Sequence, residues 1–220
     1  MIFVSDLHLG KGDKTDDFSK DAAESFIRFL DEFGKFGVGI LGDVTASWLL
    51  RLEEILAAHS DVFRAIQKTN TFIVPGNHDA DSRWMSTYHK VLPYIATIDQ
   101  TLLLHGHQAD PFNSGEGQLG KIVTQIVGAL ERSGWDMADE TLSRLWNSIT
   151  DRIREYEQFV ANIAIGRGCT RVVYGHTHLP KVTIVDGIEI ANCGTWTRRS
   201  ECGYPYIRLY PEGLRLEWWI

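Results

Sequence analysis

Five short clusters of carboxylate, amide and imidazole side chains punctuate this sequence: Asp6-Leu7-His8, Gly42-Asp43, Gly76-Asn77-His78-Asp79, His105-Gly106-His107 and Gly175-His176-Thr177-His178. Such a set, with no cysteine in it, suits a borderline first-row metal (manganese, iron, cobalt, nickel or zinc) rather than calcium. In Asp-x-His and His-x-His the two side chains share one side of an extended segment, so each pair can chelate. One Asp or His in a loop is more often a turn former, a cap or a solvated group. Five clusters together point to a shared metal site.

The clusters fall at the ends of apolar runs. Residues 2–5, 38–41 and 71–74 read as strands, separated by amphipathic helices over 19–33 and 47–68. That order is the signature of a layered α/β fold, whose ligands gather in loops at the carboxyl ends of strands. From Asp6 to Asp43, to Asn77 and to His105, each interval is about one strand-helix unit long. The interval to His176 is far longer, and the excess lies in 110–165, read as a helical cap inserted beside the site. Within it Leu142, Leu145, Trp146, Ile149, Ile153, Tyr156, Val160 and Ile163 form a stripe at helical spacing, a packing face with lipid contact as the alternative.

The remaining pattern predicts a helix over 82–91 and two strands in 94–104 around Asp99-Gln100. It further predicts a strand at 171–174, a hairpin of 181–185 with 188–191 turning at Asp186-Gly187, and a last hairpin of 206–210 with 214–219. The expected fold is one domain over residues 1–220, a β-rich α/β sandwich with a helical cap.

Composition narrows the function. A net charge of −7 over 220 residues argues against a protein that grips polymeric nucleic acid through basic surface. No apolar run of about 18 residues is present and the chain starts MIFVSDLHLG, so a cytoplasmic protein without membrane span or signal peptide is expected. Cys169, Cys193 and Cys202 are odd in number and lack C-x-x-C spacing, which suggests neither a disulfide framework nor a cysteine zinc site.

Taken in order, the five clusters resemble the calcineurin-like metallophosphoesterase superfamily, over residues 2 to about 196. The resemblance implies a β-sandwich flanked by helices and two divalent metal ions, manganese first among the candidates. Asp6, His8 and His178 would hold one ion, Asn77, His105 and His176 the other, and Asp43 would bridge them. The implied reaction is hydrolysis of a phosphate ester or phosphoanhydride by a metal-bridging hydroxide. His78 would serve as catalytic acid or electrostatic partner, with Asp79 orienting it. A small phosphorylated substrate is expected, possibly nucleotide-linked. The alternative is a non-enzymatic scaffold on the same fold.

Two departures bear on the subfamily. Asp43 is followed by Val44, Thr45 and Ala46, where the family commonly has an acidic residue three positions on. The phrase VSDLHLG, the helical insertion and Asn192-Cys193-Gly194-Thr195-Trp196 are similar to the UDP-2,3-diacylglucosamine pyrophosphatases. In that group the fourth motif reads His-Gly-Asp, whereas His107 stands at its third place here, so the substrate is not carried over. Outside the implied ligands and acid, His59, His89 and His107 read as surface or core residues, and Trp48, Trp84 and Trp196 as core. Lys11, Lys14, Arg198 and Arg199 are cations that could meet a second phosphate or lie exposed in loops.

Overall fold

The computed structural model describes residues 1–14, 16–47, 50–79, 90–93, 95–109, 140–197 and 199–220, with the backbone alone for 140–150. Two sheets form its centre. In the first, β1 (Ile2–Val4), β2 (Val38–Leu41), β3 (Thr71–Val74) and β4 (Lys90–Val91) run parallel, and β1 also pairs antiparallel with β10 (Tyr204–Tyr210), itself paired with β11 (Gly213–Trp219). In the second, the order is β5 (Ile95–Ile98), β6 (Thr101–Leu104), β7 (Arg171–Tyr174), β9 (Ile188–Asn192) and β8 (Lys181–Val185). Here β6, β7 and β9 are parallel and the edge strands β5 and β8 antiparallel.

Strand periodicity divides the apolar residues among layers. Phe3, Leu41, Phe72 and Val74 of the first sheet meet Leu103, Val173, Ala191 and Cys193 of the second in the middle of the sandwich. Ile2, Val4, Val38, Ile40 and Ile73 face the other way, onto α1 (Lys20–Phe33), α2 (Leu52–Ala58) and α3 (Ser60–Lys68). On the far side Leu102, Leu104, Val172 and Ile190 receive Val160, Ala161 and Ala164 of α4 (Glu140–Gly166). Central strands are thus covered on both faces, which is why they read as unbroken apolar runs. The expected β-sandwich flanked by helices is what the chain forms.

Three local expectations need correction or restriction. The helix expected over 47–68 begins only at Leu52 and breaks at His59, whose backbone leaves the helical region (φ −117°, ψ 30°). Tertiary pairing decides this, because the buried His59 imidazole sits 2.8 Å from Asp16 Oδ2 and anchors the loop that follows His8. Lys90–Val91 is not a helix end but a strand edge registered on Phe72 and Ile73, while 82–89 lie outside the described residues. Of the expected insertion, 110–139 also lie outside them. The later part of its apolar stripe packs on the second sheet, with Tyr156 and Ile163 flanking Val160.

Candidate metal centre

The carboxyl ends of parallel strands from both sheets converge, and the five clusters sit there. Asp6 and His8 follow β1, Asp43 follows β2, Asn77 to Asp79 follow β3, His105 follows β6, and His176 and His178 follow β7. Asp6, Asp43, His105 and His176 are buried, whereas Asn77, His78, His8 and His178 are partly exposed.

These residues are not paired by extended backbone, as Asp-x-His and His-x-His alone suggest. Asp6 (φ 55°), His8 (φ 50°), Asp43 (φ 50°), His176 (φ 71°) and His178 (φ 58°) all adopt left-handed conformations. Such conformations cost a non-glycine residue about 1–3 kcal/mol and persist only where the surroundings dictate them. Here the loops dictate them to one another. Asp6 N–H donates to Gly42 O at 3.1 Å and His8 N–H to Asp43 O at 2.9 Å, so the first two loops run on as a parallel pair beyond the sheet.

Two glycines permit the approach. A Cβ on Gly42 (φ +85°) would fall 2.4 Å from the His105 ring, and one on Gly76 would fall 2.2 Å from Asp43 Oδ1. Either contact is shorter than atoms tolerate, so both motifs require glycine before the functional residue.

Three overlapping groups of ligand atoms result, each within 4.8 Å: Asp6, His8 and His178; His8, Asp43 and His78; Asp6, Asp43 and His105. His178 Nε2 lies 3.0 Å from Asp6 Oδ1 and 3.2 Å from His8 Nε2. Asp43 Oδ2 lies 3.2 Å from His105 Nε2 and 3.8 Å from both His8 and His78 Nε2. The second oxygen of each aspartate is held by backbone: His176 N–H donates to Asp6 Oδ2 at 3.0 Å and His78 N–H to Asp43 Oδ1 at 2.9 Å.

The residues fit a metal ion on their own chemistry. His105 Nδ1 donates to Leu41 O at 2.8 Å, which directs Nε2 into the cluster. The Oδ1 of Asn77 is buried without a hydrogen bond among the described residues, and that Nε2 meets an ion-pair contact, Asp43 Oδ2 at 3.2 Å, in place of a hydrogen bond. Buried donor or acceptor atoms left in this way are costly unless something else meets them. In the metal-free chain charge is balanced by protons: burial opposes it, but Asp43 and Asp6 raise the His105 imidazole to about 10. Burial likewise works against the Asp6 carboxylate, yet His178 and His105 hold it well below the ordinary range.

Over residues 1–180 the sequence matches the calcineurin-like phosphoesterase family. The chain belongs to that family. Among solved structures it is similar to Yfce, a phosphoesterase from E. coli, at 19% identity and TM-score 0.52, covering 97% of this chain and 89% of the other. It is also similar to an archaeal phosphodiesterase, at 16% identity and TM-score 0.50, covering 98% of each. A Vps29 from Entamoeba histolytica aligns at 15% identity and TM-score 0.47, over 99% of this chain and 97% of that one. At these identities the likeness to the first two speaks for the fold alone.

In this member of the calcineurin-like phosphoesterase family Asp79 has a place that its sequence position does not reveal. Its buried carboxylate accepts from Gly76 N–H (2.9 Å), Thr45 N–H (3.0 Å), Thr45 Oγ1 (3.1 Å) and Val44 N–H (3.4 Å). It therefore ties the second and third loops together. Burial, followed by the nearby Asp43 charge, pushes its carboxyl up to about 6. Thr45 meets Asp79 close to where the family commonly carries an acidic residue.

Other expectations resolve around the centre. Trp196 is fully buried, stacked on Tyr204 at 4.7 Å and edge-on to Phe26 and Phe29 at 5.0 Å. His107 is partly buried, its ring 5.6 Å from that of His105, and burial lowers its imidazole to about 4. Lys11, Lys14 and Arg199 are exposed, whereas Trp48, Trp84, His89 and Arg198 lie outside the described residues. One neighbour went unread in the sequence: Tyr156 of α4 places its ring 6.2 Å from that of His176 and its hydroxyl against Gly106. Its only signal was a polar-tipped aromatic in an otherwise mostly aliphatic stripe. No helix among the described residues is long and apolar enough to cross a membrane.

Proposed function

We propose that this chain is a dinuclear-metal phosphoesterase hydrolysing a small phosphorylated substrate, a phosphate ester or phosphoanhydride. The observation that carries the reading is the linkage of the ligand groups: Asp6, His8 and His178 form one, Asp43 and His105 enter another, and Asp6 and His8 connect them through Asp43. His176, its ring centroid 5.2 Å from that of His105, extends the His105 side, and the buried, unbonded Asn77 Oδ1 is a further candidate donor. In this reading Asp6, His8 and His178 hold one ion, Asn77, His105 and His176 the second, and Asp43 touches both. Manganese is the first candidate, with iron, zinc, cobalt and nickel as the others.

When bound, two such ions supply a water activated near neutral pH and polarise phosphoryl oxygens. The protein's part is to hold the donors and to manage a proton. The His78 backbone is pinned by its N–H to Asp43 Oδ1, and its carbonyl accepts from Ser47 Oγ at 3.1 Å. Its imidazole is thereby kept at the partly exposed rim, with ring centroid 4.9 Å from that of His8. From there Nε2 can donate a proton to a departing oxygen or stabilise charge on the phosphoryl group.

The test is hydrolysis by protein stripped of metal and reloaded with manganese, across p-nitrophenyl phosphate, bis-p-nitrophenyl phosphate, nucleoside diphosphate sugars and UDP-diacylglucosamine. Metal-dependent turnover of one class supports the reading and names the bond cleaved. A chain that takes up no metal and turns over nothing would instead be a scaffold.

A further inference from the structure

Asp6, His176 and His178 hold left-handed backbone, and one segment outside the five clusters touches both loops. It is Asn192 to Trp196, which leaves the end of β9. Asn192 is buried, and its Nδ2 donates to Gly175 O at 3.0 Å and to Thr177 Oγ1 at 2.8 Å, bracketing His176. Its Oδ1 accepts from Gly194 N–H at 2.7 Å, so the side-chain amide is held at both ends.

Thr195 does the same for the first loop. Its hydroxyl donates to Asp6 O at 2.9 Å, and the next backbone N–H, that of Trp196, reaches the same carbonyl at 3.2 Å. Thr195 Oγ1 also lies 2.9 Å from Thr197 Oγ1 and accepts from Thr197 N–H at 3.1 Å. Ser5 Oγ donates to Gly194 O at 3.0 Å, closing the segment onto the residue before Asp6. The far end cannot drift, because the Trp196 indole is fully buried and its Nε1 donates to Pro205 O at 2.9 Å.

We infer that Asn192 and Thr195 are positioning residues: they hold the loops of Asp6 and of His176-x-His178 in left-handed conformation and thereby set metal affinity. The inference rests on the dinuclear reading above. Their reach differs. Thr195 acts on Asp6 alone, which serves one ion, whereas Asn192 acts on the loop that carries His178 for that ion and His176 for the other.

Calorimetric titration of the metal-stripped chain with Mn2+ separates these roles, with Co2+ absorption as an independent record of ligand geometry and thermal unfolding as a check on folding. Thr195→Val, nearly isosteric, should weaken one ion by roughly tenfold or more, the size expected for an outer-sphere partner, and leave the other within about twofold. Thr195→Ser, which keeps the hydroxyl, should restore the affinity and the Co2+ spectrum. Asn192→Ala should weaken both ions and provides the reading if the valine variant does not fold. Two ions bound by Thr195→Val as tightly as by the unaltered chain, or a serine variant as weak as the valine one, would overturn the inference while leaving the dinuclear reading intact. An unaltered chain that binds fewer than two ions overturns that reading and this inference with it.

Discussion

His105 gives the proton on Nδ1 to the carbonyl of Leu41 at 2.8 Å, leaving Nε2 to face Asp43 Oδ2 at 3.2 Å. The strand that delivers Asp43 thus also fixes the imidazole aimed at it. The proton an arriving cation has to displace is the one on Nε2, because a carbonyl can only accept.

Metal uptake is therefore expected to release protons. With His105 raised to about 10, the stripped chain holds that imidazolium proton at pH 7, and it has to leave when a cation takes Nε2. Calorimetry of Mn2+ binding in buffers of different ionisation enthalpy should show that release, with affinity falling as the pH is lowered. Binding that is independent of pH between 6 and 8 would be at odds with it.

The same pair bears on the stability of the stripped chain. A histidine whose folded value lies near 10 rather than 6.5 stabilises fully below pH 6.5 and loses that contribution as pH rises through 10. Thermal unfolding of the stripped chain should shift to lower temperature from pH 7 to 10, and the loaded chain should lack this component. A stripped chain that gained stability over that interval would speak against the His105–Asp43 pairing.

Asp43→Ala should reduce metal content at both positions and lower kcat/KM by roughly 100-fold or more, since the carboxylate faces His105, His8 and His78 together. Elemental analysis after dialysis reads this. Two ions retained in full would remove Asp43 from its shared position.

His78→Ala is expected to behave differently, retaining metal while kcat falls by about 10²–10⁴, the usual contribution of a general acid. Steady-state kinetics with metal analysis on one preparation decides it. Unchanged kcat would reassign the residue.

Gly76→Ala tests the packing of the loops. Its Cβ would lie 2.2 Å from Asp43 Oδ1 and 2.4 Å from Asp43 N, so the two loops must part. A loss of about 1–3 kcal/mol in unfolding free energy is expected, with weaker metal binding. Stability and metal content like those of the unaltered chain would show that the loops have slack.

Much of this was legible in the residues. Strands buried on both faces announced themselves as apolar runs, and the hairpin at Asp186-Gly187 by its turn. The cluster residues were legible because five loops repeat the same chemistry. How they meet was not, since left-handed φ at Asp6 or His178 arises from hydrogen bonds to residues far away in the chain. The break at His59 was hidden for the same reason, its partner Asp16 being a tertiary one. That the Asp79 carboxylate beside His78 also accepts from Thr45 and Gly76 is visible only in the fold.

Anomalous diffraction from crystals of the chain loaded with Mn2+ tests the central claim most directly. Two peaks are expected, one against Asp6, His8 and His178 and one against Asn77, His105 and His176, with Asp43 in contact with both. A single peak, or two peaks of which Asp43 touches only one, would contradict the account.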